Sequence, residues 1–274
     1  MNLIAILLTC HNRKDKTVEC LFSLYNIKFK EKFSFDVFLV DDNSSDGTSD
    51  IIRKNFPLVK IIKGSGKLFW NRGMHCAWEN AIKLKKYDYY LWLNDDVILD
   101  PRALKTMLND SKIKKNSIIC GVLKSKHSVN TISYGGKNIK GEFIIPNGIP
   151  NECKYINGNT VLIPKKIVEK IGILDPFYPH AIGDYEYGLR AIKSGFKCMI
   201  TSTFIGYCEP NDSPPKWCLS ETKFIDRIKS LYSPLGNSHP YYFFIYEYKY
   251  FGIVRALKHF VSIHVRVIFP KLWH

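Results

Sequence analysis

Acidic side chains are the scarce class in this 274-residue chain: 25 Asp and Glu stand against 40 Lys and Arg, leaving a formal charge of +15. That surplus points toward an anionic partner, whether nucleic acid, a phosphate-bearing substrate or an acidic membrane face, and does not choose among them. Long apolar runs are missing as well. No stretch approaches the ~20 apolar residues of a membrane span. Leu3–Leu8 is too short for a signal peptide and has no basic flank, so a cytoplasmic chain is expected. Of the eight cysteines (Cys10, Cys20, Cys76, Cys120, Cys153, Cys198, Cys208 and Cys218), no two form a CxxC pair and none has a ligand-like spacing to a histidine. This argues against a zinc knuckle or a disulfide framework and leaves buried free thiols in a reducing compartment. Internal repeats and low-complexity tracts are absent, and 46% hydrophobic against 24% charged residues excludes wholesale disorder.

What is present is an alternation. Short apolar or β-branched runs (Leu3–Leu8, Phe35–Val40, Val59–Lys63, Tyr89–Leu93, Ile118–Leu123) are separated by stretches of helical period. Lys16–Ile27 places Val18, Leu21, Phe22 and Tyr25 on one face, and Met74–Leu84 does the same with Met74, Trp78, Ala81 and Ile82. Such alternation predicts βαβ units: an α/β fold with a mostly parallel sheet and helices on both faces. Continuous apolar strands such as Val37–Val40 fit burial on both sides. Gly135-Gly136 and Pro146-Asn147-Gly148 predict loops and a small antiparallel hairpin within residues 125–150. Helical pattern resumes at Lys165–Ile171 and Tyr185–Lys193. After Asn211-Asp212-Ser213-Pro214-Pro215 the composition shifts, and residues 241–274 are crowded with Tyr, Phe, Lys and Arg against one acid, Glu247. The expected organisation is a domain over residues 1–210, in halves of about 1–125 and 126–210, and a basic aromatic helical extension over 211–274.

In a basic protein the clustered acids carry the information. Asp41-Asp42 follow the second strand, Asn94-Asp95-Asp96 follow the fourth, and Thr9 and His11 follow the first. All three groups therefore fall at the carboxyl ends of parallel strands, the edge at which open α/β sheets bind ligands. Two acid pairs at one edge repel each other unless a cation or hydrogen-bond donor lies between them, and a divalent cation with a nucleotide diphosphate satisfies that need. Each cluster also has a plain reading: Asp41–Thr48 as a turn and helix N-cap, Asn94–Asp96 as a strand-ending turn. Asp184 and Glu186 likewise suit the first turn of a helix, where the dipole favours carboxylates.

Together, Thr9-Cys10-His11-Asn12-Arg13, Val40–Thr48, Leu93–Asp96 and Asp184–Arg190 resemble the ordered motifs of family 2 inverting glycosyltransferases of the GT-A type, over about residues 1–205. Asn157–Pro164 resembles the strand those enzymes place before the catalytic helix. Gly66–Met74 resembles the sugar-nucleotide loop of bacterial members that build surface polysaccharides, including rhamnosyltransferase-like ones. The resemblance implies a Rossmann-like GT-A sheet and a role for each residue. Thr9, His11 and Asp41 line a base pocket suited to a UDP- or dTDP-sugar. Arg13, Arg72 and Asp95 serve the donor, and Asp96 binds Mg²⁺ or Mn²⁺. Asp184 is the general base, and Asp42, Asn94, Glu186, Trp70 and Asn157 support it. Three departures from the family pattern stand out, the first being that the acid pair that often ends in the base reads Gly183-Asp184, with Glu186 expected to stand in for the missing partner. The aspartate-any-aspartate signature begins with Asn94, and no histidine occurs near Gly206-Tyr207-Cys208, where many members carry a further metal ligand.

In the tail, Tyr246, Lys249, Tyr250, Ile253, Leu257, Phe260 and His264 share helical spacing, with Arg255, Lys258 and Arg266 interspersed. Such a helix suits either peripheral contact with an anionic membrane, near a lipid-linked acceptor, or packing on the domain. Two other function classes fit the sequence less well. A nucleic-acid-binding module fits the charge, but no nucleic-acid motif is present and acids gather where a phosphate backbone would lie. A nucleotidyltransferase calls for a glycine-rich basic loop after the first strand, and Thr9–Arg13 contains no glycine. The expected partners are thus a nucleotide-sugar donor and a saccharide or lipid-linked acceptor, not nucleic acid.

Overall fold

A computed structural model describes residues 2–28, 33–126, 131–210, 214–236 and 238–273. Strands β1 (Asn2–Cys10), β2 (Phe33–Asp41), β3 (Lys60–Lys63) and β4 (Tyr89–Leu93) alternate with helices α1 (Lys14–Tyr25), α2 (Thr48–Asn55) and α3 (Phe69–Leu84). Then come β5 (Ile98–Leu99), α4 (Ala103–Ile113), β6 (Ser117–Lys124), β7 (Ile132–Tyr134), β8 (Glu152–Cys153) and β9 (Thr160–Pro164). Helices α5 (Lys165–Ile171) and α6 (Gly183–Lys193) precede the long β10 (Lys197–Tyr207). The chain closes with α7 (Phe224–Leu231), α8 (Pro240–Phe251) and α9 (Ile253–Ile268).

The strands form one mixed sheet in the order β3-β2-β1-β4-β9-β6-β10-β5, with β7 on β6 and β8 on β10. β1 pairs in parallel with β2 and β4, as does β2 with β3 and β6 with β10. β9 runs antiparallel between β4 and β6. Its reversed direction puts the start of β9 at the edge where β4 ends, with Leu93 opposite Thr160. Asn157–Asn159 therefore arrive beside Asn94–Asp96.

Alternation along β1 divides the core. Ile4, Ile6 and Leu8 join a cluster with Leu21 and Leu24 of α1, Ile52 of α2 and Met107 of α4, whereas Ala5 and Leu7 join Met74 and Trp78 of α3, Ile167 of α5 and Tyr187 of α6. The α/β class and the helices on both faces are as expected. The antiparallel element is built differently from a free hairpin. β7 and β8 are short additions to β6 and β10, and the 138–142 turn is closed by a bridge between Lys137 and Phe143. Strand β10 lacks a clean sequence signal because Thr201, Ser202 and Thr203 interrupt its apolar run.

The tail also differs from one continuous helix. Gly252, at φ 87°, ends α8 and lets α9 fold back against it. Tyr246 of α8 packs with Tyr178, Ile182 and Leu189, so the extension is stitched onto the domain. Of the expected linker, Asn211-Asp212-Ser213 lies outside the described residues.

Candidate active site

A cavity of about 930 Å³ opens at the carboxyl edge of β1 and β4. Thr9, His11, Arg13, Asp42, Trp70, Asn94, Asp95, Asp96, Asn157 and Asp184 all lie on its wall. Its size is at the upper end of small-molecule sites, enough for a ligand larger than a single sugar.

The two acids after β4 meet a cation of the chain's own. Arg13, at the start of α1, reaches Asp95 at 3.1 Å and Asp96 at 2.6 Å. Asp95 is 3% exposed, and burial pushes its carboxyl up to about 7 despite the pull of Arg13. Asp96 remains partly open to the cavity, with the buried Cys208 thiol 3.5 Å from its Oδ1. All eight cysteines are free, Cys76 and Cys218 being half-buried rather than buried.

Asp42 is a fastener. Its carboxylate accepts backbone N–H groups from Gly66 (2.6 Å), Leu68 (2.8 Å) and Phe69 (3.2 Å), and so ties the 64–69 loop to the end of β2. The His11 ring donates through Nδ1 to the Asp42 carbonyl at 2.7 Å, which fixes the imidazole against the same strand end.

The loop so held delivers Trp70 and Asn71. Trp70 Nε1 donates to Asn94 Oδ1 at 2.6 Å, and Asn94 in turn donates through its side-chain amide to Asn159. Asn71 is fully buried and donates to the carbonyls of Asp175 and Tyr178, while the Asn71 N–H meets the Pro179 carbonyl at 3.2 Å. The first turn of α3 thus latches the 175–180 segment that leads into α6. His180 joins this latch by accepting the Trp70 N–H at 3.2 Å, and burial lowers its pKa, which favours the neutral acceptor ring.

Asp184 sits in the first turn of α6. One carboxylate oxygen accepts the Gly158 N–H at 2.9 Å and the other the Tyr185 N–H at 2.8 Å. Burial raises its pKa against these two donors, so a buried carboxylate with more than ordinary basicity faces the cavity. Gly158 is wedged in: a Cβ there would lie 2.5 Å from the Trp70 ring and 3.3 Å from Asp184 Cβ. Immediately before α6, Ile182 has φ 77°, a strained backbone for a β-branched residue. Packing against Tyr178, Leu189 and Tyr246 holds it there.

Three expected residues stand elsewhere. Asp41 is absent from the cavity wall: its carboxylate accepts from the Ser44 N–H at 2.8 Å and from the Ser49 hydroxyl, organising the loop after β2. Arg72 is turned the other way, donating to the Pro176 carbonyl at 2.9 Å and to the Phe177 carbonyl at 3.4 Å. Glu186 is 0% exposed and bridges Arg190 (3.0 Å) to Lys249 (2.7 Å) and the Tyr250 hydroxyl (2.7 Å), so it clamps α6 to α8 and is not a partner of Asp184. Conversely, Lys137, Tyr155, His180, Tyr185, Phe243, Tyr246 and Arg255 line the cavity without having been singled out as site residues. Tyr185 lies within the Asp184–Arg190 motif, and Tyr246 and Arg255 within the helical spacing of the tail, so a signal lay at them; Lys137, Tyr155 and His180 come from loops and Phe243 from the tail.

Among the described residues no three His, Cys, Asp or Glu side chains converge to hold a metal by themselves. The donor type nevertheless suits a hard cation: Asp96 offers an accessible carboxylate, and a diphosphate would supply further oxygens.

The profile of the family described as glycosyl transferase family 2 matches residues 5–172. The poly-beta-1,6-N-acetyl-D-glucosamine synthase of Staphylococcus epidermidis is 27% identical over 184 residues, covering 63% of this chain and 42% of that protein. The poly(ribitol-phosphate) beta-glucosyltransferase of Bacillus spizizenii is 31% identical over 173 residues, covering 62% of this chain and 24% of that protein. The chain thus spans less than half the length of these relatives. In fold it is similar to a mannosyltransferase from Pyrobaculum calidifontis solved with GDP-Man and Mn²⁺, with a TM-score of 0.58, 13% identity, and 96% of this chain and 75% of that one covered. The chain belongs to glycosyltransferase family 2.

Proposed function

We propose that the chain is an inverting glycosyltransferase, moving a sugar from a nucleoside-diphosphate donor, UDP- or dTDP-linked, to a saccharide or lipid-linked acceptor. The setting is the assembly of a bacterial surface polysaccharide, on the cytoplasmic side and in peripheral contact with the membrane. One observation carries the reading. A buried carboxylate with raised basicity, Asp184, shares a cavity with the Arg13–Asp95–Asp96 cluster and is joined to it through Gly158, Asn159 and Asn94. The relatives' names, and the nucleotide sugar and Mn²⁺ in the mannosyltransferase structure, support it.

In this reading Thr9 and His11 border the nucleoside, Asp95 lies toward the sugar, and Arg13 is the resident cation at the diphosphate end. Asp96 would hold Mg²⁺ or Mn²⁺ together with donor oxygens, and the ion supplies charge neutralisation for the leaving diphosphate. Asp184 takes the proton of the acceptor hydroxyl as its oxygen bonds to the anomeric carbon. The bond to the diphosphate oxygen breaks with its electron pair, and a single displacement inverts the anomeric centre.

Asp184→Asn is expected to lower kcat by about 10²–10⁴-fold while leaving nucleoside diphosphate binding, followed by calorimetry, within about twofold of wild type. Undiminished transfer by that variant refutes the assignment of Asp184. Absence of turnover by the wild type with every UDP-, dTDP- and GDP-sugar, with or without Mn²⁺, refutes the function.

A further inference from the structure

Helix α9 has two apolar faces. Ala256, Ile263 and Val267 point into the protein and are buried. On the opposite side Val254 (80% exposed), Leu257 (50%), Val261 (57%), Val265 (39%) and Ile268 (50%) recur at spacings of three and four, forming a continuous solvent-facing stripe. Phe269 and Leu272 extend it, at 61% and 56% exposed. A helix packed only on its own domain keeps polar residues outward, and this one does not. Along one flank of the stripe run Lys258 and Arg266, while Arg255 is turned inward to Glu247 at 2.8 Å, and no acid occurs anywhere in α9.

We propose that this outer face of α9 docks on an anionic lipid bilayer, aliphatic side chains entering the interface and the flanking cations meeting the headgroups. Charge complementarity selects this occupant. An isologous dimer would set two acid-free, cationic faces against each other, whereas an anionic surface satisfies the cations and the aliphatic stripe together. No described helix is long and apolar enough to cross a membrane, so the contact is peripheral. Phe243, Tyr246 and Glu247 of α8 and Arg255 of α9 form part of the cavity wall, so the hairpin that would lie on the membrane also borders the site of Asp184. The functional consequence, access to a lipid-linked acceptor, rests on the transferase reading. The docking itself does not.

The test is co-sedimentation of the full chain with phosphatidylcholine vesicles containing phosphatidylglycerol, against vesicles of phosphatidylcholine alone. Wild type is expected to sediment with the anionic vesicles and to be released by raising salt to about 0.5 M, where headgroup attraction is screened. The double variant Val254→Asp with Val261→Asp alters two well-exposed side chains and should weaken that binding by roughly tenfold or more. Its thermal unfolding and its solution hydrolysis of a nucleotide sugar should match wild type. Equal binding of wild type and variant, or no binding of wild type to either vesicle, overturns the proposal. So does a concentration-dependent dimer in solution that the same variant dissolves. Vesicle binding without any transfer activity leaves docking standing and refutes only the enzymatic reading.

Discussion

Asp184 illustrates how a single side chain is given its chemistry by its surroundings. Burial raises its pKa, and the N–H groups of Gly158 and Tyr185 orient both carboxylate oxygens. As a base it acts only when deprotonated. Activity is therefore expected to rise with pH through an acid limb lying above the range of an ordinary aspartate, and that limb should disappear in the residual activity of Asp184→Asn, as pH profiles of kcat would show. Gly158 is the complementary case, where function needs the absence of a side chain. A methyl group there would press on the Trp70 ring. Gly158→Ala is expected to cost about 1–3 kcal/mol of stability through overpacking, read by urea unfolding. It should also depress kcat by more than tenfold, because the displaced Trp70 ring holds Asn94 and the Gly158 N–H holds Asp184.

At the level of elements, β2, β3 and the end of α3 are fastened by Asp36. Its carboxylate meets Lys60 at 3.0 Å, Lys85 at 2.7 Å and the Tyr87 hydroxyl at 2.8 Å. Partial burial pushes its pKa up, but the hydrogen bonds of Lys85, Tyr87 and Lys60 outweigh burial and hold it at about 2. The folded pKa is depressed, so the stabilisation is complete above the unfolded value near 3.8 and is lost as pH falls from there toward 2. Asp36→Asn should cost on the order of 2 kcal/mol near neutrality. Urea unfolding at a series of pH values should show wild type and variant converging toward pH 2, and a constant gap would exclude this account.

Across the whole molecule, the tail supports the catalytic edge. Tyr246 is 5% exposed and packs on Ile182, whose positive φ begins the turn into Asp184, while Lys249 and Tyr250 close on Glu186 in the same helix. Tyr246→Ala is expected to destabilise the protein by about 3–5 kcal/mol, as for other large-to-small core changes. With the strained turn released, kcat should fall while nucleoside diphosphate binding on the β1–β4 side stays close to wild type. Loss of both together would show that the cavity is one mechanical unit.

The strand and helix runs of the first 125 residues were legible because their periods are strong and local, and with them the placement of Thr9, His11, Asp95 and Asp96 at one edge. Asp184 could be suspected from the first turn of a patterned helix. Three matters were settled only by the fold. β9 enters antiparallel, which brings Asn157–Asn159 to that edge. The latch through Asn71 and Arg72 turns Arg72 away from the cavity. The break at Gly252 folds the tail back so that α8 walls the site while α9 keeps an apolar face outward. Local sequence fixes which backbone conformations are cheap. Asp41 is held locally, by Ser44 and Ser49, but what Asp42 and Asp184 meet depends on Gly66 and Gly158, 24 and 26 positions away. Such neighbours become neighbours only once the sheet has ordered its strands.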